Sequence, residues 1–285
     1  MQPLFSLFSL AMFTATALAG YHAFTHGARS FYLVSLAYGF LLEHLTIQQF
    51  AAYTYPVHAY PLHLFDVPFA IAFGWGAIIY TGYSVATAYR LRLAYVPLFA
   101  ALFALHVDLS MDAIAIHFGF WSWTQGGVWF GVPLGNFFGW FCVAFFYTGS
   151  FVVAQRYLRH DLPAALVAIV VSLGLLIGSL QVWIDVVTTP TRGAIVLAAI
   201  VGVALALVLR ADRDPTPVPG VLQGSTFVFH GFFLALYLAT GMLLSPYYVL
   251  LAPVAVGLFV VGYVVLHQPS LEPLEALWHR GKAES

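Results

Sequence analysis

Carboxylic acids are scarce in this 285-residue chain, and nearly half of them accompany its long apolar segments. The chain holds 11 acidic residues. Six lie in polar loops or in the tail, and the others are Glu43, Asp66, Asp108, Asp112 and Asp185. Ionisable side chains in membrane spans are costly and usually serve a function. Because burial favours the neutral form of a carboxyl group, we expect several of these five to be protonated and able to act as general acids.

Asp108 and Asp112 form the most specific pair among these acids. They are four residues apart, so they share one face of a helix. The same face carries small side chains, which are typical of packing against other helices rather than against lipid, namely Ala101, Ala104 and Ala115. The pair is therefore expected to point into the protein. There it either carries out acid chemistry or belongs to a structural hydrogen-bond network with tyrosine and backbone groups.

The composition indicates that membrane helices position these acids. Hydrophobic residues make up 62% of the chain and charged residues 7%, whereas soluble domains carry about 25% charged residues. The net charge of −1 offers no basic surface to nucleic acid. We expect residues 1–285 to form a single integral membrane domain with a cytoplasmic tail at 266–285. Apolar runs predict an all-α bundle of nine spanning helices, at residues 4–24, 31–51, 66–89, 94–117, 132–154, 163–187, 193–210, 224–243 and 246–266.

Basic residues indicate the orientation of these spans. Only Arg192 falls on the side that carries the five acids. The nine others fall on the opposite side, and they are Arg29, Arg90, Arg92, Arg156, Arg159, Arg210, Arg213, Arg280 and Lys282. Because lysine and arginine concentrate in cytoplasmic loops, we expect a multi-pass protein of the cell membrane. Its N-terminus should lie outside and its C-terminus in the cytoplasm.

An internal repeat connects two of the predicted helix pairs. Val-Pro followed by Phe-Gly-Trp occurs at 67–75 and recurs 65 residues further on. The same offset carries Glu43 onto Asp108, and the aromatic-x-aromatic tripeptides at 53–55 and 121–123 also correspond. Helices 2–3 and 4–5 are therefore predicted to be parallel copies of one hairpin, related by an axis along the membrane normal.

Aromatic side chains near the acids have two interpretations. Trp121, Trp123 and Trp129 lie in the loop between helices 4 and 5. They form either an aromatic belt at the membrane interface or a wall whose π faces stabilise a cation. Asn136 lies one turn inside helix 5, where a buried amide needs polar partners.

Other kinds of site are weakly represented. Cys142 is the only cysteine, which excludes an internal disulfide and a multi-cysteine metal site. His22 and His26 form one HxxxH pair, whereas a membrane di-iron hydroxylase needs several. The DxxxD spacing of the acid pair also occurs in membrane prenyltransferases, but these hold a diphosphate with Mg²⁺ and basic residues, and only Arg192 is near. We expect no metal and no cofactor.

The segment from Asp108 to Trp140, DLSMDAIAIHFGFWSWTQGGVWFGVPLGNFFGW, resembles the signature region of the membrane carotenoid hydratase family. This family includes bisanhydrobacterioruberin hydratase and the γ-carotene ψ-end hydratase. Glu43 and Tyr55 fit its weaker upstream part, and Ala113 replaces a proline that often follows the second aspartate. The family pattern of paired aspartates, aromatic-x-aromatic, Gly-Val-Pro, Asn-Phe and Gly-Trp is matched by Asp108, Asp112, Trp121, Trp123, Gly131, Val132, Pro133, Asn136, Phe137, Gly139 and Trp140.

The resemblance implies a reaction and a substrate class. Water would add to the terminal isoprenoid double bond of a polyene dissolved in the bilayer and leave a tertiary alcohol, without a cofactor. Asp108 or Asp112 would protonate the alkene. A second carboxylate, Glu43 or Asp66, would take a proton from the water. Substrate contacts are expected from Tyr55, Trp75, Trp121, Trp123, Asn136 and Trp140.

The partners implied are the carotenoid, water and membrane lipids, with other carotenoid biosynthesis enzymes as further candidates. Two alternative functions stay open. A lycopene-cyclase-like enzyme would begin with the same protonation and quench the cation with a neighbouring double bond in a dry pocket. A non-enzymatic transporter would use the acids as a proton-coupled relay. Only the resemblance favours hydration over cyclisation.

Overall fold

The computed structural model describes the backbone of residues 2–214 and 216–283 and the side chains of residues 3–214 and 216–267. Within these ranges nine helical segments are long and apolar enough to cross a membrane, which confirms the predicted all-α polytopic bundle. The helices are α1 (Gln2–Thr25), α2 (Arg29–Phe50), α3 (Phe69–Ala88), α4 (Val96–His117), α5 (Leu134–Gln155), α6 (Asp161–Val186), α7 (Pro190–Arg210), α8 (Gly220–Ala239) and α9 (Ala252–Ala283).

Helices α3 and α4 form the centre of the bundle. In the most apolar 18-residue stretch of each helix, 78% of the residues are buried in α3 and 72% in α4, compared with 22% in α6 and 17% in α7. The outer helices expose leucine, isoleucine and valine side chains, as a surface in contact with lipid requires. Glycine permits close packing inside the bundle, since a Cβ atom at Gly39 of α2 would lie 2.2 Å from the carbonyl oxygen of Ala72 in α3.

The observed helix ends differ from the predicted ends at two functionally relevant places. Helix α3 begins at Phe69, so Asp66 is not its first residue. Asp66 lies instead in the two-residue turn of a hairpin formed by β2 (His63–Leu64) and β3 (Val67–Pro68). The reason is that Pro68 lacks a backbone N–H and adopts an extended conformation immediately before the helix.

The second difference concerns the last two helices. Helix α8 ends at Ala239, and Gly241 adopts the left-handed φ of 72° that commonly terminates a helix. Two 3₁₀ turns, at 242–244 and 248–251, then lead into α9. The backbone of α9 continues to Ala283, so the tail is joined to the last span by one helix; its side chains beyond His267 lie outside the described residues.

At each end of the bundle the loops contact one another, through a different kind of interaction at each end. At one end, which we call the site end, β1 (Tyr53–Thr54) of the α2–α3 loop pairs with β4 (Ser122–Trp123) of the α4–α5 loop in an antiparallel ladder. At the opposite end, Arg90 pairs with Asp214 at 2.5 Å and joins the α3–α4 and α7–α8 loops. Loops that follow odd-numbered helices thus meet at one end, as nine spans require.

Positions that the sequence repeat aligns lie against each other. Thr54 and Ser122 approach to 3.2 Å between their hydroxyl oxygens, and the rings of Trp75 and Trp140 are 4.0 Å apart between centroids. A local two-fold axis between the hairpins would give such contacts. The repeat itself stays a prediction until the hairpins are superposed.

Candidate active site

A cavity of about 580 Å³ lies among α1, α2, α3, α4, α5, α6 and α8 near the site end. Ligand pockets commonly enclose about 300–1,000 Å³ and are mostly apolar with a few polar groups. Glu43 and Asp112 line this cavity, whereas Asp108 and Asp66 do not. All six expected substrate contacts lie on its wall, namely Tyr55, Trp75, Trp121, Trp123, Asn136 and Trp140.

Glu43 projects from α2 and accepts hydrogen bonds from three aromatic donors. Its Oε2 atom accepts from the hydroxyls of Tyr53 at 2.7 Å and Tyr55 at 2.9 Å. Its Oε1 atom accepts from the indole nitrogen of Trp75 at 2.6 Å. Three neutral donors around one buried carboxyl group replace part of the hydration that it has lost.

Tyr53 and Tyr55 remain donors because their hydroxyls stay protonated. Burial, followed by the negative charge of Glu43, raises the pKa of both phenols well above its usual value. The hydroxyl of Tyr53 also lies 2.8 Å from that of Thr46 in α2. The α2–α3 loop is thereby attached to the helix that carries Glu43.

Asp112 projects from α4 and is surrounded in a similar way. It accepts hydrogen bonds from the indole nitrogens of Trp121 and Trp123, the latter at 3.3 Å. The amide nitrogen of Asn136 lies 2.9 Å from Asp112 Oδ2 and 2.7 Å from Asp108 Oδ2. One amide from α5 therefore bridges both aspartates, and the shared helical face predicted for them is observed.

Asp108 lies one turn farther from the site end and is completely buried. Its Oδ1 atom has no hydrogen-bond partner. Within the described part of the chain, no basic side chain forms an ion pair with Glu43, Asp108 or Asp112. Two buried carboxylates that share one neutral donor and lack a cation are costly. The pair is therefore most stable when one of its two carboxyl groups is protonated.

Aromatic rings form a continuous wall next to these acids. Tyr53 contacts Trp123 with 5.1 Å between ring centroids, and Tyr55 contacts Trp121 with 6.2 Å. The donors of Glu43 thus touch the donors of Asp112. The π faces of such rings attract a positive charge, so the cavity combines acids with surfaces that stabilise a cation.

Asp66 is separate from this arrangement. Its side chain is 28% exposed and belongs to the β2–β3 turn. Burial alone would raise the pKa of the Asp66 carboxyl, but hydrogen bonds from His44 at 2.7 Å and Gln48 at 3.0 Å outweigh it, and the pKa lies below its usual value. Asp66 is therefore already paired, and it does not line the cavity.

Asp185 and Trp129 do not line the cavity either. Asp185 is exposed at the end of α6, where Gln181 donates to it at 2.9 Å, so it does not join the buried acids. Trp129 donates its indole N–H to the backbone oxygen of Leu109 at 2.9 Å and does not line the cavity. Its role is to hold the α4–α5 loop against α4.

Some wall residues were missed by the sequence reasoning. Tyr53 was recognised as part of the repeat but not as a donor to Glu43, although its aromatic-x-aromatic element is the signal that identifies it. Leu180 and Trp183 of α6 and Phe8 and Met12 of α1 complete the wall. They carry no local signal, because only tertiary packing brings α6 against α2 and α5 and brings α1 against α3. Among the described residues, no group of three or more His, Cys, Asp or Glu side chains could hold a metal ion.

The fold and the site together define a polytopic membrane protein with an acidic, aromatic cavity between its helices. The sequence profile of the carotenoid biosynthesis protein family matches residues 2–209, and the chain belongs to this family. No curated protein and no solved structure matches the chain. The protein therefore has a role in carotenoid biosynthesis, and its family implies a lipid-soluble carotenoid as substrate. This agrees with the resemblance of Asp108–Trp140 to carotenoid hydratases.

Proposed function

We propose that this protein is a carotenoid hydratase. It adds water to the terminal isoprenoid double bond of an acyclic ψ end group and produces a tertiary alcohol. The observation that carries the proposal is the placement of Asp112 and Glu43 on the wall of one aromatic cavity. Addition of water to a double bond leaves the overall oxidation level unchanged, so an acid and a base suffice for the reaction.

Asp112 delivers the proton of the aspartate pair to the substrate in this proposal, because it lines the cavity and Asp108 does not. The electron pair of the double bond takes the proton of Asp112, and the new C–H bond forms at the less substituted alkene carbon. A tertiary cation remains on the dimethyl carbon. Asp108 is a positioning residue: its buried carboxyl shares Asn136 with Asp112 and makes loss of the last proton from the pair unfavourable.

Glu43 is the base in this proposal. Its three hydrogen bonds stabilise a carboxylate, whose charge, together with the surrounding rings, stabilises the cation. A water oxygen then forms a bond with the cationic carbon, and Glu43 takes the proton that this water loses. Transfer of a proton from Glu43 back to Asp112 through water completes the cycle, and the net change is the addition of one water.

Product analysis tests the proposal. Cells that make an acyclic-ended carotenoid should convert it, when they express this chain, into a product heavier by one water. A product of unchanged mass with a new ring would support cyclisation and contradict hydration. An unaltered carotenoid pool beside normal amounts of protein in the membrane would contradict both reactions and leave transport as the function to examine.

A further inference from the structure

A second, more open pocket of about 260 Å³ lies beside the substrate cavity at the site end. It is formed by the α4–α5 loop together with the turn that precedes α9. Its rim includes His117, Ser122, Gly126 and Tyr247, all of which are exposed. These polar and backbone groups stand outside the apolar wall of the larger cavity, where water is available.

Trp121 and Trp123 line both pockets, which adjoin at these two side chains. Trp121 is 6% exposed and packs against Tyr55. Trp123 is only half-buried, and its 3.3 Å bond to Asp112 is longer than most hydrogen bonds from nitrogen to oxygen. The less constrained of the two shared side chains, Trp123, therefore also contacts the proposed acid.

We propose that this second cavity, the water vestibule, supplies the reacting water to the cation across the wall formed by Trp121 and Trp123. The inference rests on the proposed hydratase function and adds a route for the second substrate. A tertiary cation that meets no water loses a proton to a base or closes a ring. The water supply therefore decides how much of the cation becomes alcohol.

Blocking the vestibule should have a different consequence from removing the acid. Protonation by Asp112 continues, so the cation still forms. Without water, the cation returns a proton from a neighbouring carbon to a carboxylate, and the alkene is restored. In deuterated water, the recovered carotenoid then carries deuterium, although no alcohol has been produced.

Gly126 offers a way to fill the vestibule without disturbing the wall. No atom lies within 4 Å of the position that a Cβ at Gly126 would take. The series Gly126→Ala, Gly126→Leu and Gly126→Phe should lower the yield of tertiary alcohol progressively, by about tenfold for phenylalanine, equivalent to about 1.4 kcal/mol of barrier. Deuterium in the recovered carotenoid should persist or rise. Val128→Phe is the matched control, because Val128 is 62% exposed in the same loop and lines neither cavity.

Three results would overturn the water route while hydration itself stands. The first is an unchanged alcohol yield in Gly126→Phe, and the second is an equal loss of alcohol and deuterium exchange. The third is an equal loss of alcohol in Val128→Phe at the same protein level. If the wild-type protein forms no alcohol, the hydratase proposal itself fails, and the vestibule loses its assigned role with it.

Discussion

Tyr53 and Trp123 lie opposite each other in the ladder at the site end, and each donates a hydrogen bond to a different carboxyl group. Tyr53 donates to Glu43 over 2.7 Å, and Trp123 donates to Asp112 over 3.3 Å. Their rings contact each other with 5.1 Å between centroids. The ladder therefore couples two carboxyl groups that belong to different helices, so a displacement of either loop affects both.

Glu43→Gln should abolish hydration. Glutamine keeps the size of the side chain but is neutral and cannot accept the proton of the attacking water. The yield of tertiary alcohol should fall by about a hundredfold or more, the usual contribution of a positioned acid or base. Carotenoid extracts from cells with equal amounts of each protein give the comparison, and wild-type yield in Glu43→Gln would remove Glu43 from the reaction.

Asp66→Asn should leave hydration unchanged. Its carboxyl is paired with His44 and Gln48 and lies away from the cavity. The substitution changes a loop acid in the same way that Glu43→Gln changes a cavity acid, so it controls for nonspecific effects of removing charge at this end. A loss of product as large as that of Glu43→Gln would show that Asp66 acts in the chemistry.

Asn136→Ala should destabilise the protein. The substitution removes the donor that Asp108 and Asp112 share and leaves buried acceptors unpaired, at a cost of about 1–3 kcal/mol. Thermal unfolding in detergent measures this as a lower midpoint. Gln181→Ala is the control, because its bond to Asp185 is exposed and such changes usually stay within about 0.5 kcal/mol. Equal midpoints for the two variants would contradict a structural role for the amide bridge.

Reporter fusions at Thr124 and Arg156 should locate to opposite sides of the membrane. Thr124 lies in the site-end loop, and Arg156 follows α5 at the other end of the bundle. The excess of basic residues at the Arg156 end predicts that this end is cytoplasmic. Two reporters in the same compartment would be incompatible with α5 as a span.

The sequence repeat predicts that α2–α3 superposes on α4–α5 by rotation about the membrane normal. The contact between Trp75 and Trp140 is compatible with this rotation. In one detail the contacts differ from the alignment, which pairs Glu43 with Asp108. The aromatic-x-aromatic donors surround Glu43 and Asp112, because the loop after the acid differs in length between the copies. Hairpins that fail to superpose in an experimental structure would make the similarity a coincidence.

The spans were predictable because the bilayer imposes a length and an apolar composition on each helix. The boundary between α8 and α9 was less predictable. Residues 240–251 include two apolar runs, at 242–244 and 249–251, and the helix ends where Gly241 adopts a left-handed conformation. Hydropathy measures composition and does not report backbone conformation.

The site was predictable where its residues share a helix or a motif. The spacing of Asp108 and Asp112 predicted a common inward face, and the Asn136 amide was expected to need partners. Composition could not show that Asp112 reaches the cavity while Asp108 stays behind it, since both side chains occupy the same helical face. That distinction depends on how the neighbouring helices pack against α4. The exposure of Asp185 likewise depends on packing, which composition does not report.

The most direct test of the account compares Asp112→Asn with the wild type in deuterated water. Asparagine has nearly the same shape as aspartate but cannot protonate an alkene. The wild type should produce a tertiary alcohol with deuterium on the carbon next to the hydroxyl-bearing carbon. Asp112→Asn, present in the membrane at the wild-type level, should lose both the alcohol and deuterium exchange by about a hundredfold or more. Normal labelled alcohol from Asp112→Asn, with loss of product in Asp108→Asn instead, would contradict the assignment of Asp112 as the acid that faces the substrate.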